Sequence, residues 1–170
     1  MRCQCGGRDI SISCIQRNIV SSYIIWPILY GKKRVTGRPV PSFFLLNKAL
    51  NAIDLFYEIE MPEVFFIGHS AGIVLAKASY GNHLVLYQNS TVGKNHGESP
   101  TISDGVIMYP NTAIIGRCAV AKNSIISQGV SVINSDTAAN SMAFSGGGGT
   151  LVFRPSHRCI QADFFRNYAC

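Results

Sequence analysis

Residues 65–75 read Phe-Phe-Ile-Gly-His-Ser-Ala-Gly-Ile-Val-Leu, and two of them can do chemistry. Gly68-His69-Ser70-Ala71-Gly72 fits G-x-S-x-G, the strand-to-helix elbow that exposes a serine nucleophile. The same stretch presents His69, whose imidazole titrates near neutrality and suits a general base. A triad can be written in the chain order such an elbow requires, Ser70, Asp136 and His157. The elbow works only between a strand and a helix of a doubly wound sheet. The elements around residue 70 therefore decide between serine oxygen and imidazole nitrogen.

Those elements are repeats. Ile102, Met108, Ile114, Val120, Ile126 and Val132 lie six residues apart. Four positions after each of the first five comes a small or β-branched residue: Val106, Thr112, Cys118, Ser124 and Val130. Six residues turn an α-helix by about 600°, so such a stripe would spiral away from any one face. A triangular β-solenoid accounts for both series, with large aliphatics stacked inside and small side chains at tight corners. Upstream the repeat continues in another phase through Val74, Tyr80, Leu86 and Val92, with Ala78, Leu84 and Ser90 at the small offset. Between Val92 and Ile102 four extra residues fall in Gly93–Pro100, a polar stretch that reads as a loop thrown out from a corner. Nothing in hexads brings Asp136 or His157 to Ser70, so the elbow match is accidental.

The rest of the chain divides around this block. Residues 1–62 form an N-terminal segment whose apolar Phe43, Leu46, Leu50 and Ile53 predict one amphipathic helix over about 41–58. Residues 63–136 are the solenoid and 137–170 a tail, in which Phe164-Phe165 is expected to fold back as a cap over the last coil. The Ser145–Leu151 run, SGGGGTL, lacks the Lys-Ser/Thr of a phosphate-binding loop and reads as a flexible exit. His83 and His157 read as structural or solvated.

A length of 170 residues with 47% hydrophobic content suits one domain. The 15 Lys+Arg against 9 Asp+Glu give a net charge of +6, but the cations are scattered apart from Lys32-Lys33-Arg34. Nucleic-acid binding favours a basic stripe with interleaved aromatics, so this pattern argues against it. The apolar run 19–30 is too short to span a bilayer and carries Pro27, so stable membrane insertion is not expected. Cys3 and Cys5 lack zinc-site spacing and a histidine partner, so no metal is expected. The six cysteines read as free thiols in a reducing cytoplasm.

Residues 60–136 resemble the serine acetyltransferase family of left-handed parallel β-helix acyltransferases. The most specific parts are His69-Ser70-Ala71-Gly72-Ile73-Val74, similar to the family's His-Ala-Thr-Gly-Ile-Val, and Tyr87-Gln88-Asn89-Ser90-Thr91-Val92-Gly93. The resemblance implies a mainly β fold, a left-handed parallel β-helix of hexapeptide repeats after a short α-helical segment. It implies a homotrimer with active sites between neighbouring solenoids, acetyl-CoA as co-substrate and His69 as general base. The family's base is oriented by a carboxylate about fifteen residues earlier. Asp54 has that spacing but falls in the predicted helix, so Glu60, just before Pro62, is preferred.

Further site residues follow from the same resemblance. Coenzyme A is expected along the coils at Tyr109, Asn111, Ser127 and Gly129, its phosphates near Lys94 or Lys122, with backbone N–H groups near Gly93 facing the oxyanion. Asn89, His96 and Ser99 are expected to meet the acceptor. The loop carries Glu98-Ser99-Pro100 where the family has Arg-His-Pro, and Met108-Tyr109-Pro110-Asn111 replaces a small Gly/Ala corner. The acceptor is thus L-serine, slightly preferred, or a sugar hydroxyl. A solenoid that binds without catalysing is the remaining alternative.

Overall fold

The computed structural model describes residues 40–56, 58–165, 168 and 169. One helix, α1 (Val40–Asn51), leads directly into β1 (Ile53–Leu55). It stops well short of the expected residue 58. Ala52 takes a left-handed backbone, φ 53, and its N–H closes on the carbonyl of Lys48 at 3.1 Å, ending the helix. Asn47 is buried and donates to the carbonyl of Ile53, pinning α1 to the first strand. The apolar stripe of α1 is mostly uncovered, with Leu45 and Leu50 exposed.

From Ile53 onward the chain winds as a parallel β-solenoid with three sides. Side I stacks β1, β3 (Ile73–Leu75), β6 (Thr91–Gly93), β9 (Ala113–Ile115) and β12 (Ser131–Ile133). Side II stacks β4 (Ser79–Tyr80), β7 (Thr101–Ile102) and β10 (Ala119–Val120). Side III stacks β2 (Phe65–Ile67), β5 (Leu84–Leu86), β8 (Ile107–Met108), β11 (Ile125–Ile126) and β13 (Ser141–Ser145), and ends in antiparallel β14 (Leu151–Pro155). The solenoid therefore starts ten residues before the expected boundary at 63, and side III runs on beyond 136.

The hexad series is the interior. Ile102, Met108, Ile114, Val120, Ile126 and Val132 are all buried. Register aligns them in three columns, of which Leu55, Leu75, Val92, Ile114 and Val132 make the one behind side I. Burying each such side chain stabilises the fold by about 1.5–3 kcal/mol. The small series has a polar reason as well as a steric one. Thr112, Cys118 and Ser124 each donate to the carbonyl three residues back, at 2.8, 3.2 and 2.7 Å, closing the corner they occupy.

The upstream phase differs from expectation at one place. Val74 points outward and is exposed, while Ile73 and Leu75 are buried. Leu75, not Val74, is in register with Val92. The expected loop is a tight hairpin turn, with Asn95 and Glu98 exchanging both backbone hydrogen bonds around His96 and Gly97. Both central residues have positive φ, 48° and 84°, the pattern of the primed turns that join close antiparallel segments.

The tail does not cap the last coil. It runs back along the outside of side III, where Val85, Ile107 and Ile125 are buried beneath Ile160, Phe164, Phe165 and Tyr168. Gln161 donates to the carbonyl of Gly105 at 2.8 Å and Tyr168 to Asn123 at 2.6 Å. His83 lies at a corner, between the rings of Phe165 and Tyr168. Burial there lowers its pKa against the opposing pull of Asp104. The glycine run 146–149 is the turn of the β13–β14 hairpin.

Cys118 is a buried free thiol, but Cys159 is disulfide-bonded, against the expectation of free thiols throughout. Among the described residues no helix is long and apolar enough to cross a membrane, and no group of three or more His, Cys, Asp or Glu side chains is placed to hold a metal. The run 19–30, the Lys32-Lys33-Arg34 cluster and the Cys3/Cys5 pair lie outside the described residues.

Candidate active site

His69 lies on the edge where side III turns into side I. Four corners stack along that edge: Gly68–Gly72, Tyr87–Asn89, Tyr109–Asn111 and Ser127–Gly129. Their registers differ. Ile67 pairs with Leu86 and Val74 with Thr91, so the His69 corner spends seven steps where the next spends five. The two additional residues lift His69 out of the ladder of stacked corners, and its side chain is exposed. They also shift the hexad phase, which is why Val74 faces out. The corner is tied down beside the bulge, with Gly72 N–H on the carbonyl of Ala52 and Asn89 N–H on that of Ala71.

Above the bulge the edge is a ladder of Asn and Gly. Asn89, Asn111 and Gly129 all have positive φ, and Asn89 donates to Asn111 at 2.8 Å. One position earlier runs an aromatic ladder. Tyr87 and Tyr109 stack with centroids 5.6 Å apart, and Tyr87 leans over Gly68, where a Cβ would come within 2.7 Å of its ring. The rings of His69 and Tyr87 are 6.1 Å apart. Burial, and then Tyr109, push the Tyr87 phenol above its ordinary value, so it remains a proton donor at neutral pH. Gln88 completes this edge with a buried side-chain oxygen that has no hydrogen-bond partner among the described residues.

The sequence-derived site residues fall on three edges. His69, Asn89, Tyr109, Asn111, Ser127 and Gly129 share the one just described. Gly93, Lys94, His96 and Ser99 lie where side I turns into side II, a full side away within one chain. Arg117, exposed at the same edge, was not among the expected site residues. Lys122 lies on the remaining edge, between β10 and β11. A cofactor arm running from Ser127 to Lys122 would cross side III, whose outer face Phe164 and Phe165 already cover. Within one chain Lys122 is therefore separated from the Ser127 corner by the covered side III, while the open side I leads toward Lys94 and Arg117.

The two candidate carboxylates lie on different sides of the solenoid. Glu60 lies exposed in the stretch between β1 and β2, which passes along the second side of the prism, opposite the His69 edge. Asp54, set aside as helical, is in β1 on side I, in register with Val74, which follows the His69 corner. Its carboxylate pairs with Lys48 of α1 at 2.7 Å. The signal that would have found it is the fifteen-residue spacing to His69. The hydrolytic triad does not assemble. Asp136 accepts from Ala119 N–H at the far end of the stack, three strand spacings or about 14 Å along the axis from the Ser70 coil, and His157 is exposed beyond β14.

The molecule is thus a hexapeptide-repeat parallel β-solenoid carrying an exposed histidine at an enlarged corner. Solved structures of the same fold are serine acetyltransferases. That of Vibrio cholerae aligns with a TM-score of 0.67 at 19% identity, covering 88% of this chain and 58% of its own. The Neisseria gonorrhoeae enzyme in complex with serine aligns at 0.63 and 22%, over 78% of this chain and 55% of its own. The soybean enzyme complexed with serine gives 0.63, 20%, 78% and 55%. The chain spans a little over half the length of these proteins. No protein-family profile and no curated protein sequence matches it.

Proposed function

We propose that the chain is an acetyl-CoA-dependent O-acetyltransferase with His69 as general base. The observation that carries this reading is the position of His69, exposed in a corner two residues longer than the one stacked on it. The shared fold with serine acetyltransferases supports it. In the reaction His69 takes the proton of the acceptor hydroxyl as its oxygen attacks the thioester carbonyl. The carbon–sulfur bond then breaks, and the thiolate leaves with a proton from the imidazolium. Asp54 replaces Glu60 as the carboxylate that orients the ring, since β1 and the His69 corner are bonded neighbours.

Coenzyme A is placed by this reading against the outer face of side I, which carries Thr91, Ala113 and Ser131 and is bordered by Lys94 and Arg117. Supplying the activated acetyl group is the coenzyme's chemistry. The chain's own part is to hold it beside His69 and to cradle its phosphates. Gly93, His96 and Ser99 are a side away from His69 in their own chain, so these three act at the site of a neighbouring subunit in a homotrimer. Use of acetyl-CoA supports a reaction in the cytoplasm. The Cys159 disulfide points the other way, because thiols are kept reduced there.

The test is thiol release from acetyl-CoA across hydroxyl acceptors, for wild type and His69→Ala. Because His69 is exposed, the variant should fold normally and lose about 10²–10⁴-fold in rate, the usual contribution of a general base. Wild-type activity in that variant would overturn the assignment.

A further inference from the structure

We propose that Phe164, carried by the C-terminal tail, is a positioning residue for His69 that acts through the ring of Tyr87. The inference rests on the acetyltransferase reading and adds a residue from the far end of the chain to the same site. The enlarged corner is tied to the solenoid by backbone hydrogen bonds at Gly68, Ala71 and Gly72, with His69 and Ser70 between them. What stands against that stretch is the Tyr87 ring, its centroid 6.1 Å from that of the imidazole. It lies so close to Gly68 that a Cβ there would meet it at 2.7 Å. A catalytic side chain keeps its geometry only where the neighbours that set it are themselves locked by packing. Tyr87 is walled by two further rings. Tyr109 stacks on it at 5.6 Å with 23° between the planes, and Phe164 meets it in a T-shaped contact at 6.3 Å and 76°.

The tail is built to hold Phe164 in that place. It crosses side III, touching His83 at one edge and Tyr87 at the other. Phe165 is 2% exposed, packed over Val85, Ile107 and Ile125 with Tyr168 beside it. Gln161 and Tyr168 add their hydrogen bonds to the carbonyl of Gly105 and to Asn123. Arg158 pairs with both carboxylate oxygens of Asp163, at 2.8 and 2.9 Å, closing the 3₁₀ turn Ile160–Asp163. Phe164 is the next residue, half-buried, and reaches Phe66 at 5.5 Å as well as Tyr87. Its neighbours do the anchoring, and Phe164 adds a wall to the edge that carries His69. These contacts lie within one chain and hold whatever the assembly. Without that wall the Tyr87 ring can leave Gly68 for another staggered χ1 well, and the His69–Ser70 stretch loses its backing. Such shifts are costly, since a misplacement of about 1 Å can lose about 10²-fold in rate.

The experiment pairs kinetics with a spectrum that needs no turnover. Thiol release from acetyl-CoA is measured for wild type, Phe164→Ala, Tyr87→Ala and the double variant, each on the full chain. Phe164→Ala should lower kcat about tenfold to a hundredfold while KM for acetyl-CoA stays within about twofold, the pattern of a disturbed transition state rather than of lost binding. In the Tyr87→Ala background the same substitution should change kcat by less than about twofold, because the ring it acts through is gone. A side chain that only holds the fold together would lower Tm in both backgrounds and leave the kcat of folded protein alone. The histidine Cε1–H resonances, with that of His69 assigned from His69→Ala, supply the second readout. The His69 resonance should move in Phe164→Ala toward its position in Tyr87→Ala and not move again in the double variant. Phe164→Val gives the same comparisons should the alanine variant fail to fold. Wild-type kcat in a folded Phe164 variant, or an equal loss with and without the Tyr87 ring, would overturn the proposal. If wild type itself releases no thiol, the acetyltransferase reading falls and the resonance alone decides. Displaced in Phe164→Ala and coupled to Tyr87, it upholds the positioning contact; unmoved, it overturns it.

Discussion

Gly68→Ala tests the packing that sets Tyr87 against the His69 corner. The glycine has no unusual φ, so its backbone accepts alanine, and the whole effect comes from the new methyl group. That methyl would lie 2.7, 2.9 and 3.1 Å from Cε1, Cδ1 and Cζ of Tyr87. The ring cannot simply retreat, because Tyr109 stacks at 5.6 Å and Phe164 approaches at 6.3 Å. Overpacking of this kind costs about 1–3 kcal/mol. Lower entropy of the unfolded chain returns about 0.4–1 kcal/mol. The net loss is about 1–2 kcal/mol, a fall in Tm of about 2–8 °C for a chain of this size. Urea denaturation of the single variants and of Gly68→Ala/Tyr87→Ala closes a double-mutant cycle. Removing the ring removes the clash, so the coupling should recover about 1–2 kcal/mol. An equal cost for Gly68→Ala with and without the Tyr87 ring would refute the account.

Further expectations concern the carboxylate, the tail and pH. Asp54→Asn should lower kcat about tenfold or more and displace the pH profile of the base, whereas Glu60→Gln should stay within about twofold; equal losses in thiol-release assays would reverse the choice. Gln161→Leu leaves the carbonyl of Gly105 without its donor and should cost about 1–3 kcal/mol in urea titrations. A change below about 0.5 kcal/mol would mean water serves equally well. His83 has a folded pKa below its ordinary 6.5, so its contribution is present above that pH and lost as pH falls through the folded value. Tm measured from pH 8 to 5 should therefore decline less steeply below 6.5 in His83→Asn, a non-titrating side chain that tolerates the positive φ at this corner. Parallel curves would exclude the effect.

The interior was legible because a six-residue period is a global constraint. Ile102 through Val132 had to stack whatever the corners did, and the four extra residues before Pro100 could be counted. What escaped was local. Ile53 continues the helical spacing of Leu46 and Leu50, and the residue that ends α1 is Ala52, not the glycine or asparagine that usually marks such a stop. Asp54 was lost with it. The enlarged His69 corner was hidden in the same way, since Val74 is six residues before Tyr80 and apolar enough to pass for an interior residue. The tail gave no period at all. Its place is set by the fit of Phe164, Phe165 and Tyr168 to Val85, Ile107 and Ile125, which alternation along short strands does not announce.

The reversal of β14 governs what happens at the open end of the stack. A parallel solenoid finishes in bare strand edges, and a second copy could in principle extend the winding coil upon coil into a fibre. Here two of the three sides end in strands that run the way a following coil would need, β12 and β10, while the third ends in one that runs against it. An incoming first coil could pair with sides I and II only by meeting the wrong polarity on side III. The hairpin thus makes the open end of the described stack a poor match in polarity for its first described coil.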